Sequence, residues 1–225
     1  MDRRDFIKVV SVGAATLYLS GCGFPMARKK SDEHEVSAQG SISGGKQMRI
    51  VVINSSPHSE EQSTSRYLAK RFVDGAKSAG HEVFVFDAAN EETHPCQGCD
   101  QCGMDGDCIF YDAIQTKLMP KMLDADLLVL ATPLYYFGMS AQLKTIVDRF
   151  YSRTTKLTGK KSMLIATAWN TVDWTMEALD THYETLVRYM SWQSVGKVLA
   201  TGCGTRSAVE SSEFGDIAFK IGASL

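Results

Sequence analysis

Between Asp126 and Thr132 the chain reads Asp-Leu-Leu-Val-Leu-Ala-Thr, a run apolar on both faces of an extended strand. A strand of this kind belongs in a sheet covered on both sides, as parallel sheets are. Other β-branched or apolar runs fit the same sheet: Met48 to Asn54, His81 to Asp87, Lys161 to Ala168 and Gly196 to Thr201. Helical spacing fills the gaps. Tyr67, Leu68, Phe72, Val73 and Ala76 share one face ahead of Gly80, and Ile114, Leu118, Met122 and Leu123 share another. Further helices are expected from about Ser140 to Tyr151, from about Trp174 to Met190 and at the C-terminus. Five βα units without an internal repeat predict an α/β fold with a doubly wound parallel sheet.

The chain has 225 residues, but its first part is not fold-forming in this reading. Asp2-Arg3-Arg4-Asp5-Phe6-Ile7-Lys8 precedes an apolar run from Val9 to Leu19 that meets Leu19-Ser20-Gly21-Cys22. The run is too short to span a bilayer, which takes about 20 apolar residues. A charged start, a short apolar stretch and small residues before a cut site mark an export signal. The arginine pair resembles a twin-arginine signal, and Leu-Ser-Gly-Cys resembles a bacterial lipobox whose cysteine takes the lipid. Residues 1–21 are thus expected to be a leader. Residues 22–47, rich in Ser, Gly, Lys and Glu, would be a flexible tether from a lipidated Cys22. Residues 48–225 remain, roughly 180 of them, enough for one domain with its own core. The expected place is the periplasm or the outer face of a bacterial cytoplasmic membrane. The twin-arginine route carries folded proteins, so its resemblance implies a cofactor already in place.

A formal net charge of −2 argues against nucleic acid as a partner. Two glycine-rich stretches imitate phosphate loops without the right context. Gly40 to Lys46 resembles a P-loop, but Gln47 replaces the magnesium-holding hydroxyl and the stretch precedes the first strand. Gly202-Cys203-Gly204 begins like a dinucleotide fingerprint, but Ser207 takes the place of the third glycine and the strand before it is the last.

In open α/β sheets ligands bind beyond the carboxyl ends of the strands, where the strand order reverses. After the first strand the chain reads Ser55-Ser56-Pro57-His58-Ser59-Glu60-Glu61-Gln62-Ser63-Thr64-Ser65 and enters a helix. Hydroxyls, an amide and unpaired N–H groups there suit a phosphate, and they equally suit an ordinary helix cap. After the third strand, Thr132-Pro133-Leu134-Tyr135-Tyr136-Phe137-Gly138 puts three aromatics at the same edge. They can wall a flat ring, with Gly138 as a close backbone contact, or simply pack. Lys144 and Asp148, spaced i,i+4, read as a structural pair. Trp169 and Asn170 follow the fourth strand within reach of the same edge. Of the histidines, His58 alone falls in a candidate site, and His34, His81, His94 and His182 read as surface or capping residues.

Together the two loops resemble the NADPH-dependent FMN reductase branch of the flavodoxin-like superfamily. The family's first loop, Gly-Ser-Pro-Arg-x-x-Gly-Asn-Thr, is matched at Ser56 and Pro57. His58 stands for its arginine, Glu61 for its glycine, Gln62 for its asparagine and Ser63 for its threonine. The second loop, Ser/Thr-Pro-x-Tyr followed by Lys and Asp-Arg, is kept at Thr132, Pro133, Tyr135, Lys144, Asp148 and Arg149. The resemblance implies a flavodoxin-like sheet of strand order 2-1-3-4-5 and bound FMN. Its contacts would be Ser56, His58, Gln62, Ser63, Thr64, Pro133, Leu134, Tyr135, Tyr136, Phe137 and Gly138.

Four of the six cysteines lie in one loop, Cys96, Cys99, Cys102 and Cys108, spaced C-x2-C-x2-C-x5-C. Structural zinc usually takes two C-x2-C pairs on a longer arm. Consecutive x2 steps resemble the wrap around a [4Fe–4S] cube, with Gly98, Gly103 and Gly106 supplying the turns. Disulfides or free thiols, and zinc, stay open beside it, and Cys203 reads as a buried apolar residue. The same spacing resembles the iron–sulfur flavoproteins within the reductase family.

The expected function is an exported FMN oxidoreductase of the NAD(P)H:FMN or quinone reductase type, with no catalytic acid or base required. The electron donor would be a reduced nicotinamide by family, or a quinol or cytochrome by compartment, and the acceptor a small molecule or protein. The resemblance implies a homo-oligomer. A flavodoxin-like electron carrier and a module with an empty flavin site are the alternatives.

Overall fold

The computed structural model describes residues 46–225. The expectations placed on the leader, on Cys22 and on the tether up to Gly45 lie outside the described residues. In chain order the elements are β1 (Arg49–Asn54), α1 (Thr64–Ser78), β2 (Glu82–Asp87), α2 (Met119–Asp124), β3 (Leu127–Tyr135), β4 (Gly138–Met139) and α3 (Ala141–Arg149). There follow α4 (Thr154–Leu157), β5 (Lys161–Thr167), α5 (Glu177–Tyr189), β6 (Gln193–Ala200), α6 (Arg206–Glu210) and α7 (Phe214–Ala223).

The parallel strands run β2-β1-β3-β5-β6, the flavodoxin-like 2-1-3-4-5 order once the short antiparallel β4 is set aside. Alternation along the strands feeds two cores. Val51, Ile53, Leu128 and Leu130 face α2, α3 and α5, while Ile50, Val52, Leu127 and Val129 face α1 and α7. Each such side chain contributes about 1.5–3 kcal/mol by leaving water. Helices α1 and α7 meet through glycines. A Cβ on Gly75 would lie 2.1 Å from the Phe219 carbonyl oxygen, and one on Gly222 2.3 Å from that of Phe72. Because the chain leaves β1 toward β2 on one side and returns to β3 on the other, the loops after β1 and β3 part at the sheet's carboxyl edge and leave a crevice.

Several elements depart from the sequence expectation for identifiable reasons. The helix leading into α2 starts with a wide π-type turn, Ile114–Leu118, because Pro120 has no N–H to continue the regular ladder. Strand β6 starts at Gln193 rather than near Gly196. Its first residues are polar or bulged, with the register slipping between Ser162 and Met163, so no apolar run announces them. The largest difference is at β3, which continues to Tyr135 and turns through Tyr136 and Phe137 into β4. What reads as a loop is a hairpin.

Candidate functional site

The first loop is held from behind. Arg66, in the first turn of α1, donates to the carbonyls of Ser56 (2.7 Å) and His58 (2.9 Å) and grips both carboxylate oxygens of Asp87 at 2.7 and 2.8 Å. Burial would raise the Asp87 carboxyl, but Arg66 and Asn90 hold it below its usual range. A buried set of hydroxyls ties this loop to the second. Ser55 donates to the Ala131 carbonyl (2.9 Å), and Ser140 shares a 2.9 Å hydrogen bond with Ser55 while accepting from Leu143 N–H as the cap of α3. Across the sheet, Thr64 donates to Thr167 at 2.8 Å, bringing the start of α1 against the end of β5.

A cavity of about 530 Å³ opens between these loops, within the roughly 300–1,000 Å³ of small-molecule sites. Ser56, His58, Gln62 and Thr64 line it from the first loop, and Pro133, Leu134 and Tyr135 from the second. The remaining expected contacts are elsewhere. Ser63 is buried, its hydroxyl capping α1 by accepting from Arg66 N–H at 3.1 Å. Helix geometry wins there, since a hydroxyl at the cap position is already within reach of an orphan N–H. Tyr136 is fully exposed at the hairpin tip and Phe137 packs on Trp174 with ring centroids 5.0 Å apart, so Tyr135 is the one aromatic of the three in the wall. Both tip residues have positive φ, 46° and 65°, in a turn that usually takes Asn or Gly. Such local strain is characteristic of functional sites. Gly138 makes no close approach, because a Cβ there would meet only the Tyr135 carbonyl oxygen at 3.8 Å.

Sequence reasoning missed the third wall of the cavity. Thr167 and Ala168 at the end of β5, and Cys203 to Arg206 after β6, also line it. The rule that ligands bind at the carboxyl edge applies to β6 as well. The glycine pair there fails as a dinucleotide fingerprint but still stands at that edge. Trp169, 76% exposed, lies against Gly204, where a Cβ would come within 2.2 Å of the indole. Glu61 also faces the cavity. A backbone hydrogen bond and the Ser59 hydroxyl hold its carboxyl below the usual range, with a smaller contribution from Arg206. Cys203 is buried as expected, and burial pushes its thiol up.

The cysteine loop leaves β2 and is closed at its neck by Arg149, only 1% exposed. Its guanidinium pairs with Asp112 at 2.8 Å and donates to the carbonyls of His94 (2.8 Å) and Phe110 (3.3 Å). Burial would raise the Asp112 carboxyl, but Arg149 and the N–H groups of His94 and Gln115 hold it low. His94, far from being a bystander, stacks on Phe110 at 4.9 Å, and His81 is buried, accepting from Met48 N–H at 3.2 Å. The loop's outer part is pinned by the segment after α3. Tyr151 donates to Asp100 at 2.6 Å, which pushes the phenol up to about 12, Arg153 reaches the Asp105 carbonyl and Asp107, and Lys156 pairs with Asp105 at 3.2 Å. Gly98 and Gly103 have positive φ, and a Cβ on Gly106 would stand 2.7 Å from the Cys102 carbonyl oxygen. These turns follow the expectation. Among the described residues no disulfide joins the four cysteines. Soft thiolates suit iron–sulfur or zinc chemistry, but among the described residues they are not drawn together as a metal-ligand set. Lys144 and Asp148 form the expected structural pair at 2.6 Å.

The sequence is similar to iron–sulfur flavoproteins. It is 33% identical over 102 residues to one from Methanocaldococcus jannaschii, covering 45% of this chain and 51% of that protein. It is 32% identical over 102 residues to one from Archaeoglobus fulgidus, covering 45% and 48%. The chain spans about half the length of these curated relatives. In fold it resembles an NAD(P)H:quinone oxidoreductase from Methanothermobacter marburgensis (TM-score 0.63, 19% identity, 79% of this chain and 96% of that one). It also resembles an azoreductase from Bacillus anthracis (TM-score 0.63, 17% identity, 80% and 100%). The pattern of one family of flavin-dependent oxidoreductases, described as NADPH-dependent FMN reductase, matches residues 48–205. With its strand order and its crevice at the carboxyl edge, the chain belongs to that family.

Proposed function

We propose that the protein is an FMN-dependent oxidoreductase that passes electrons between a donor and a small-molecule or protein acceptor through a flavin in the cavity at the carboxyl edge of the sheet. The observation that carries this reading is one continuous space joining the start of α1, with its hydroxyls and first-turn N–H groups, to the flat wall of Pro133, Leu134, Tyr135 and Trp169. The first end suits a phosphate and the second a ring. Bound FMN supplies the chemistry, accepting two electrons and releasing them singly. The chain's own part is to hold and shield it. Ser56 and Gln62, and Thr64 once its hydroxyl turns from Thr167, would hydrogen-bond the phosphate, and Tyr135 and Trp169 would limit water at the ring. Residues 94–112 would be the site of a second group. Cys96, Cys99, Cys102 and Cys108 would hold a [4Fe–4S] cluster, a proposal supported by their spacing and by the relatives' names.

The N-terminal sequence supports export and a lipid anchor at Cys22, and in that compartment a quinol or cytochrome is the more economical donor than a nicotinamide. A homo-oligomer would let two copies share electrons. The test is the anaerobic absorption spectrum of the purified mature protein, followed by turnover with reduced nicotinamides, quinols and quinone acceptors. Bound FMN with turnover of an acceptor supports the reading. Reversible flavin reduction without turnover would make the protein a carrier, and a colourless protein that takes up no added FMN would refute it.

A further inference from the structure

A flavin phosphate at the start of α1 brings about two negative charges, and the first loop contains no lysine or arginine. Arg66, in the first turn of α1, is engaged behind the loop with Asp87 and two carbonyls, and it borders a different hollow with Asn54. Among the described residues lining the main cavity, Arg206 is the one with a permanent positive charge. It arrives from the far side of the sheet, after β6. Its guanidinium lies over the Tyr67 ring at 4.6 Å, donates from Nη1 to the Glu60 carbonyl at 2.5 Å and from Nε to Glu210 at 2.7 Å. Those partners fix its plane while Nη2 has no hydrogen-bond partner among the described residues.

Resting on the FMN reading above, we infer that Arg206 is the phosphate-binding cation of this site and makes it prefer FMN to unphosphorylated riboflavin. A planar guanidinium held on three sides pays little entropy to bind an oxyanion and offers a charge-assisted hydrogen bond. Glu61 is its counterweight. This exposed carboxylate lines the same cavity and feels the charge of Arg206, so it opposes an incoming phosphate. The cavity lining therefore carries one attractive and one repulsive permanent charge, with Glu210 bound to Arg206 from outside the cavity, and both lining charges are blind to the ring.

The test is titration of the apoprotein with FMN and with riboflavin, followed by flavin fluorescence, for wild type, Arg206→Gln, Arg206→Lys and Glu61→Gln. Arg206→Gln should weaken FMN roughly ten- to a hundredfold, the worth of a charged hydrogen bond, and leave riboflavin affinity unchanged. Arg206→Lys should recover part of the loss, and Glu61→Gln should tighten FMN alone. The FMN preference of the wild type should shrink as salt rises. A wild-type FMN-to-riboflavin preference retained in Arg206→Gln overturns the inference, as does an equal loss for both flavins, which would mean a merely structural role. Should Arg206→Gln misfold, absence of any salt effect and of any gain in Glu61→Gln overturns it independently. A wild type that binds neither flavin removes the FMN reading itself, a result distinct from the others.

Discussion

The two candidate sites of this chain are built by different means. The cavity at the sheet's carboxyl edge is a by-product of topology. Strands β1, β3 and β5, paired in register, deliver their loops to one rim, and hydroxyls at Ser55, Thr64, Ser140 and Thr167 lock those loops together. The cysteine loop has no strand within it and is held almost wholly by charged side chains. Arg149 and Asp112 close its neck, and Tyr151, Arg153 and Lys156 fix its outer part. A site resting on the sheet is formed before its ligand arrives, whereas the cysteine loop has a buried pair at its neck but only exposed contacts farther out, which contribute little each and leave its frame without a ligand set. The lesson is that the flavin end of the molecule should tolerate damage to the cysteine end, and not the reverse.

The largest expected effect breaks the neck. Arg149→Leu leaves Asp112 buried without its partner, which costs about 3–5 kcal/mol. Urea unfolding should show that loss, and limited proteolysis should cut first between residues 94 and 112. The same pair gives a pH signature. The Asp112 carboxyl is held below its ordinary value, so its contribution is present above the unfolded value of about 3.9 and disappears as pH falls through the folded one. Stability of Asp112→Asn should therefore depend less steeply on pH below about 4 than that of the wild type.

A smaller effect separates two neighbouring hydroxyls. Thr64→Val removes a group that lines the cavity and bonds Thr167, and FMN affinity should drop by roughly ten- to a hundredfold. Ser63→Ala should leave FMN binding nearly unchanged and cost about 1 kcal/mol of stability, the value of a helix cap. Equal effects on FMN at both positions would mean that the cavity is not the phosphate site.

That contrast shows how far the sequence was legible. The strands, the two loops at the rim and the turns at Gly98 and Gly103 follow from apolar periodicity and residue type, which are local properties, whereas the strand order is implied by the family resemblance alone. Whether Ser63 or Thr64 enters the cavity depends on where the helix begins, a difference of one residue that the hydroxyl pattern alone does not resolve. The hairpin through Tyr136 and Phe137 was invisible because aromatics rarely take positive φ. Arg206 and Gly204 were hidden for another reason, since their place at this edge rests on contacts far apart in the chain, Arg206 with Glu60 and Tyr67 and Gly204 with Trp169, which have no local signature. The buried role of Arg149 was likewise unreadable before its partner Asp112 was known.

The smallest expected effect lies in the exposed part of the cysteine loop. Tyr151→Phe removes the hydrogen bond to Asp100 and should leave the unfolding midpoint unchanged, because both groups face solvent. Its signature is spectroscopic. The Tyr151 phenol, pushed up to about 12, should ionise after the ordinary tyrosines in an alkaline absorbance titration, and Asp100→Asn should bring it back among them. Burial also pushes up the Tyr183 phenol, so one late tyrosine remains in both proteins, and a late step undiminished in Asp100→Asn would show that the outer loop is not held as described.

The independence of the two sites is tested most directly by titrating FMN into the apoprotein whose Cys96, Cys99, Cys102 and Cys108 are all replaced by alanine. Saturation at one FMN per chain with the wild-type affinity is the predicted result. Loss of FMN binding along with the four thiols, while the variant remains folded by circular dichroism, would contradict it.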